Sequence, residues 1–248
     1  INGLDKGNGG TFYVAGPLSI NTSEIVNSRA AAEGGAIYSV AMNTEKNITI
    51  QDSLIHQNQA NSYGSVLAMD CQANLGATQT NVKINSSSIT RNGSSLTNSI
   101  LDFCGYATVE LNNSTIAKNT ASQTGHILRM TNQANRPLSA FSSLTAASNT
   151  IVENTAKSTL FYDNVGSKVF GFNVLAFNQG LSCEYGLNQG NPTKEQQVKF
   201  YTTQNAIQST GPSRCVLPPL EENATSNNLD VSSSTISSLL TDYLEPAI

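Results

Sequence analysis

The stretch Ser114-Thr115-Ile116-Ala117-Lys118-Asn119-Thr120-Ala121 decides the reading of this chain, because the chain repeats it. Written S-x-I-x-x-N-x-A, it returns as Ser53-Leu54-Ile55-His56-Gln57-Asn58-Gln59-Ala60. With Asn leading, it returns again as Asn149-Thr150-Ile151-Val152-Glu153-Asn154-Thr155-Ala156. Ser87-Ser88-Ile89-Thr90-Arg91-Asn92 keeps the first six positions, and Asn173-Val174-Leu175-Ala176-Phe177-Asn178-Gln179-Gly180 is a degenerate copy. The earliest copy, Ser23 to Ala30, has Ser28 where the others have Asn. The leading residues at 23, 53, 87, 114, 149 and 173 give steps of 30, 34, 27, 35 and 24. Self-similarity at such a period marks a solenoid, propeller or array.

Two further features flank each copy. Before it stands a short alternating run, such as Leu18-Ser19-Ile20, Ile48-Thr49-Ile50, Val82-Lys83-Ile84 and Val109-Glu110-Leu111. Strict alternation reads as a half-buried strand. After it comes a small-then-apolar run, such as Gly35-Ala36-Ile37-Tyr38, Ser65-Val66-Leu67-Ala68 and His126-Ile127-Leu128-Arg129. Each repeat therefore carries three short strands. A propeller blade needs four strands and about 40–50 residues, and the uneven steps fall short of that. The fold expected is all-β: a parallel β-helix with three short strands per rung, whose loops vary in length without disturbing the stack.

On that reading, the Ile at the third position faces the core and the Ala at the eighth fills a cramped corner. The Asn at 58, 92, 119, 154 and 178 forms a ladder of side-chain amides up the stack. Asn also tolerates the left-handed backbone of tight corners, which is a second reason to expect it there.

Composition bounds the rest. Charged residues make up 12% of the 248, Trp is absent, and roughly one residue in nine is Asn, against about 25% charge in ordinary domains. The net charge of -4 offers no electrostatic footprint for nucleic acid, and no apolar run approaches the length of a membrane-spanning helix. Disorder is the rival reading of so polar a chain, and the fixed apolar offsets argue against it. The chain starts at Ile1 and reads as a mature or trimmed piece of something longer. The β-helix is expected over residues 1–220, loosening after Leu181. Residues 221–248 form a tail in which Ile236, Leu239, Leu240 and Tyr243 have the spacing of a short amphipathic cap.

Cys71 and Cys104 follow the third strand of consecutive repeats at nearly the same offset. Stacked strands lie about 4.8 Å apart, within the Cα separation a disulfide tolerates. Cys71–Cys104 is thus one expected bridge and Cys183–Cys215 the second; four separate buried thiols are the alternative. Paired cysteines imply an oxidising compartment. With only His56 and His126 present and no C-x-x-C, neither a zinc site nor any other metal or cofactor is expected.

The sequence resembles bacterial extracellular right-handed, single-stranded parallel β-helix proteins of the pectin-lyase-like architecture. Within these it is most similar to polymorphic outer-membrane protein repeats and autotransporter-passenger-like surface proteins. The carriers are Gly34-Gly35-Ala36-Ile37-Tyr38, which resembles the family's G-G-A/G-I-Y segment, and the S-x-I-x-x-N-x-A units. The Cys183–Cys215 region resembles the cysteine-containing tail that closes such helices. The resemblance implies a secreted or outer-membrane-associated surface protein. It implies an adhesin or passenger role toward a host-cell or surface protein or glycan, without catalysis. A polysaccharide lyase or glycoside hydrolase working in a groove is the second reading, and a structural stalk the third. Candidate ligand-binding residues are Asp70, Asp102 and Arg129, on the third-strand side with Asp163. Asp102 and Arg129 share a repeat offset and should form an outward, exposed ion pair. His126 reads as a surface or corner residue. Binding is expected in the long insertions Met69–Thr80 and Thr131–Ser143 and in the region after 180.

Overall fold

The structure, a computed structural model, describes residues 3–5, 7–40, 46–70, 79–104, 106–131, 142–163, 166–186, 199–218 and 226–240. Among these residues the fold is all-β, and every pairing between strands is parallel, an arrangement consistent with a parallel β-helix or solenoid. The first sheet runs through Leu18–Asn21, Lys46–Gln51, Thr80–Asn85, Ala107–Asn112, Ser143–Ala147, Ser167–Gly171 and Lys199–Thr203. The second runs through Glu24–Val26, Leu54–His56, Ser88–Thr90, Thr115–Ala117, Thr150–Val152, Val174–Ala176, Ala206–Ile207 and Leu229–Asp230. The third runs through Phe12–Val14, Ile37–Ser39, Leu67–Met69, Ser99–Cys104, His126–Thr131, Thr155–Asp163 and Gln179–Gly186. The chain visits these sheets in turn, adding one strand to each per circuit.

Three strands per circuit is too few for the early repeats. Leu4–Asp5, Arg29–Ala30 and Gln59–Ala60 form a fourth, short sheet between the second and third. Isolated bridges Gly93–Thr120 and Thr120–Thr155 continue it. The repeat also outlasts residue 180, since Ala206–Ile207 and Leu229–Asp230 extend the second sheet. The only helix among the described residues is Ile236–Leu239, a single turn with no buried residue.

Register explains the apolar periodicity. Ile25, Ile55, Ile89, Ile116, Ile151, Leu175 and Ile207 stand in one column of the second sheet, each buried. Ile20, Ile50, Ile84, Leu111, Ala146 and Phe170 do the same in the first sheet. Ile37, Leu67, Leu101, Leu128, Leu160 and Cys183 do so in the third. These columns share one hydrophobic core. Like apolar side chains at rung spacing pack on one another, at roughly 25 cal/mol per Å² of apolar surface removed from water. Lys168 interrupts the packing: it pairs in register with Leu144 and is wholly buried. Its ammonium reaches the Ser142 carbonyl at 3.1 Å and the Asp163 carboxylate at 3.7 Å. Burial brings its pKa down to about 8 against the pull of Asp163.

The corners are held by polar columns. Asn58, Asn92, Asn119, Asn154 and Asn178 are buried, and each Nδ2 donates to the next Oδ1 at 3.0 Å. Each Oδ1 from Asn92 to Asn178 also accepts the backbone N–H of the preceding column member, at 2.9–3.1 Å. Ser28 enters the column by donating its N–H to Asn58 and ends it through a hydroxyl pair with Thr11. The left-handed residue is not the Asn itself but the one before it: Asn27, Gln57, Arg91, Lys118, Glu153 and Phe177, at φ 54–58°. The Asn is therefore required for its amide, not for its backbone freedom.

A second column runs along the other edge of the second sheet. The N–H of Ser23 donates to Ser53 Oγ, that of Ser53 to Ser87, that of Ser87 to Ser114, and that of Ser114 to Asn149 Oδ1. Asn149, Asn173, Asn205 and Asn228 carry it on, and the members from Ser23 to Asn205 are again each preceded by a left-handed residue, from Thr22 through Ser148 to Gln204. Hydroxyl and amide oxygens do the same work, accepting a buried N–H that the turn withholds from the sheets.

Cys183 and Cys215 form a disulfide with a Cα separation of 4.3 Å, pinning the later segment beside the last strand of the third sheet. Cys104 is also disulfide-bonded, and Cys71 lies outside the described residues.

Replacing Asn119 by Ala deletes two donations from its own amide and strands two donors of Asn92. The expected loss is about 3 kcal/mol, measured by denaturant unfolding. Asn47→Ala, at an exposed position, should cost under about 0.5 kcal/mol.

Candidate functional site

Side chains alternate across a strand, so the column beside the core column of the third sheet faces outward. It reads Tyr13, Tyr38, Ala68, Asp102, Arg129, Phe161 and Glu184, in register throughout. Six steps at about 4.8 Å give it a length of roughly 29 Å. Parity also sorts the aromatic residues of these strands. Phe103 and Tyr162 point into the core, whereas Tyr38 and Phe161 belong to the outward column.

The column brings Asp102 and Arg129 together: Nη1 lies 2.9 Å and 3.2 Å from the two carboxylate oxygens. The pair is not the exposed one expected. Asp102 is 1% exposed, because its carboxylate also takes the Ser99 hydroxyl at 2.6 Å and its partner is itself shielded. The Arg129 guanidinium stacks on the Tyr63 ring, 4.6 Å from its centroid. Burial pushes the Asp102 carboxyl upward, while Arg129 and Ser99 pull it back down.

Asp70 follows the strand Leu67–Met69 and ties its N–H to the Ser39 carbonyl at 2.8 Å. Its charge is felt by Glu33, whose carboxyl is raised by burial and then by repulsion from Asp102 and Asp70. Burial raises the Tyr38 hydroxyl to about 12, helped by Asp70 and Glu33. Lys46 is buried and donates to Ser39 Oγ at 2.8 Å; burial lowers its pKa against the pull of Asp70. Asp163 stands apart, buried against Lys168.

His126 opens its strand partly buried rather than freely exposed. Its ring stacks on Phe161 at 4.4 Å and its Nδ1 lies 2.7 Å from Ser158 Oγ. Burial, then the Lys157 charge, lowers its pKa to about 4, so it is neutral at pH 7. Tyr13 stacks on Tyr38 at 5.5 Å. The face thus carries aromatic rings at both ends and two carboxylates, of which Arg129 neutralises Asp102 and Lys157, 3.0 Å away, neutralises Glu184. Among the described residues no group of three or more His, Cys, Asp or Glu could hold a metal ion.

Glu33, Tyr63 and Tyr13 escaped the sequence reading. Glu33 and Tyr63 carried a usable signal: each directly precedes a left-handed glycine, Gly34 at φ 68° and Gly64 at φ 66°, so they stand at one repeat offset. Tyr13 precedes the first full copy of the motif, and its signal was the run Thr11-Phe12-Tyr13-Val14, which reads as the last strand of a rung and pairs Tyr13 with Tyr38. The insertions expected to hold a binding site fall largely outside the described residues.

Removing Arg129 leaves the Asp102 charge buried and unpaired. Arg129→Ala should destabilise the fold by about 3 kcal/mol, and the double change Asp102→Leu with Arg129→Met should recover most of it in urea unfolding. His126 titrates lower folded than unfolded, so its stabilising contribution is complete above pH 6.5 and fades as pH falls toward 4. His126→Gln should flatten that part of the stability–pH curve. No protein-family model, curated protein or solved structure matches the chain.

Proposed function

We propose that the chain is a right-handed parallel β-helix of the extracellular passenger or adhesin kind, and that it binds a glycan along the outer face of its third sheet. The observation that carries the reading is the run of exposed and partly exposed groups on that face, the Tyr13 and Phe161 rings with Arg129 and the carboxylates of Glu33 and Glu184, set around the buried Tyr38 and Asp102. Aromatic faces pack on the apolar C–H faces of sugar rings, and carboxylates and tyrosine hydroxyls accept and donate hydrogen bonds to sugar hydroxyls. A rigid sheet holds these groups before the ligand arrives, which removes an ordering cost from binding. The Cys183–Cys215 disulfide fits an oxidising compartment, and no helix among the described residues is long and apolar enough to cross a membrane. Secretion and attachment at a bacterial outer surface belong to the same proposal.

A glycan array probed with the purified chain tests it. Tyr13→Ala and Phe161→Ala should each weaken the strongest hits about tenfold, and unchanged binding by both would sink the reading. A second reading, glycoside cleavage, is favoured by Glu33, whose raised carboxyl beside Asp70 and Asp102 suits a proton donor. It requires release of reducing ends from a polysaccharide, lost in Glu33→Gln.

A further inference from the structure

On the far side of the molecule, where the first sheet turns into the second, lies an open groove of about 630 Å³. It crosses four successive repeats, a length of roughly 14 Å at the strand spacing. One wall is the corner column Thr22, Asp52, Ser86 and Asn113, and the other is the outward column Glu24, Leu54, Ser88 and Thr115 of the second sheet. Between them Ser23, Ser53 and Ser87 are already committed to the N–H column that locks the corner. The walls are therefore fixed while their own hydroxyls face the groove. Glu24 is held at the rim by His56, with Oε1 2.7 Å from Nε2.

The lining is chemically one-sided. It offers hydroxyls, an amide, the methyls of Leu54 and two carboxylates, and no Lys or Arg. Such a surface exchanges hydrogen bonds with hydroxyl groups and repels anions. We propose that this groove binds an uncharged oligosaccharide chain laid along the stacking axis, at a site separate from the third-sheet face. The repeat of like groups at one spacing matches a polymer with a repeat of its own. The groove lining stops at Asn113 and Thr115; along the same corner the small polar residues continue to Ser148 and are broken at Phe172 in the repeat after it.

The test is isothermal titration of the purified chain with cellohexaose, maltohexaose and hexagalacturonate. At least one neutral hexaose should bind, and the anionic one should bind at least tenfold more weakly. Ser88→Trp, or Thr115→Trp one repeat further on, fills the groove from a strand surface and should weaken the neutral ligand at least tenfold. Tyr13→Ala should leave that affinity unchanged, which separates this site from the third-sheet face. Where a Trp variant misfolds by circular dichroism, Glu24→Gln with Asp52→Asn, both at exposed positions, should narrow the gap between neutral and anionic hexamers by at least threefold. Binding of neither neutral hexaose, preference for hexagalacturonate, or affinity lost in Tyr13→Ala and kept in the groove variants overturns the proposal.

Discussion

The fold depends on what happens to a backbone N–H at a corner. Within the sheets, each strand finds its partners in the neighbouring repeats. A chain that turns sharply inside a buried wall must leave some N–H groups pointing along the axis with no carbonyl opposite. A buried donor left that way costs about 1–3 kcal/mol, repeated at every circuit. The side-chain oxygens of Asn58 to Asn178, and of Ser53 to Asn228, meet that demand at both edges of the second sheet. Once the corners are fixed, the isoleucine columns have no choice of register, since a slip of one residue would turn each of them to the outside.

Much of this was legible in the sequence, because the interior repeats the same residue types at the same offsets. Ile116 and Asn119 are a fixed three residues apart in every good copy, and each one's environment is made of its own equivalents. The second polar column was harder to see, because Ser and Asn substitute for each other in it: an oxygen at the right distance is all the corner asks. The last circuits hid for the same reason, as Asn205 and Asn228 sit in stretches that keep the amide and lose the flanking motif. The left-handed positions were misassigned by one residue, because Asn is the familiar occupant of that conformation and here sits just after it.

The outer face was the least readable part. Whether Asp102 meets water is decided by Tyr63 and Arg129, contributed by different circuits, and by the hydroxyl of Ser99. No local pattern encodes that convergence. The groove at the opposite corner is a different case: its residues are ordinary Ser, Thr and Asp of a polar turn, and only stacking turns four short turns into one continuous channel.

The amide columns also have a direction. From Asn58 to Asn178, and from Asn149 to Asn228, each amide-to-amide bond runs from Nδ2 to the Oδ1 of the later circuit, while Nδ2 also donates to a backbone carbonyl of the circuit before. Aligned amides polarise one another, so the columns act as a pair of one-way wires down the molecule. A circuit copied or deleted by recombination keeps this polarity automatically, whereas an inverted one would set donor against donor. The architecture can lengthen or shorten by whole circuits while its vectorial order passes unchanged from each to the next.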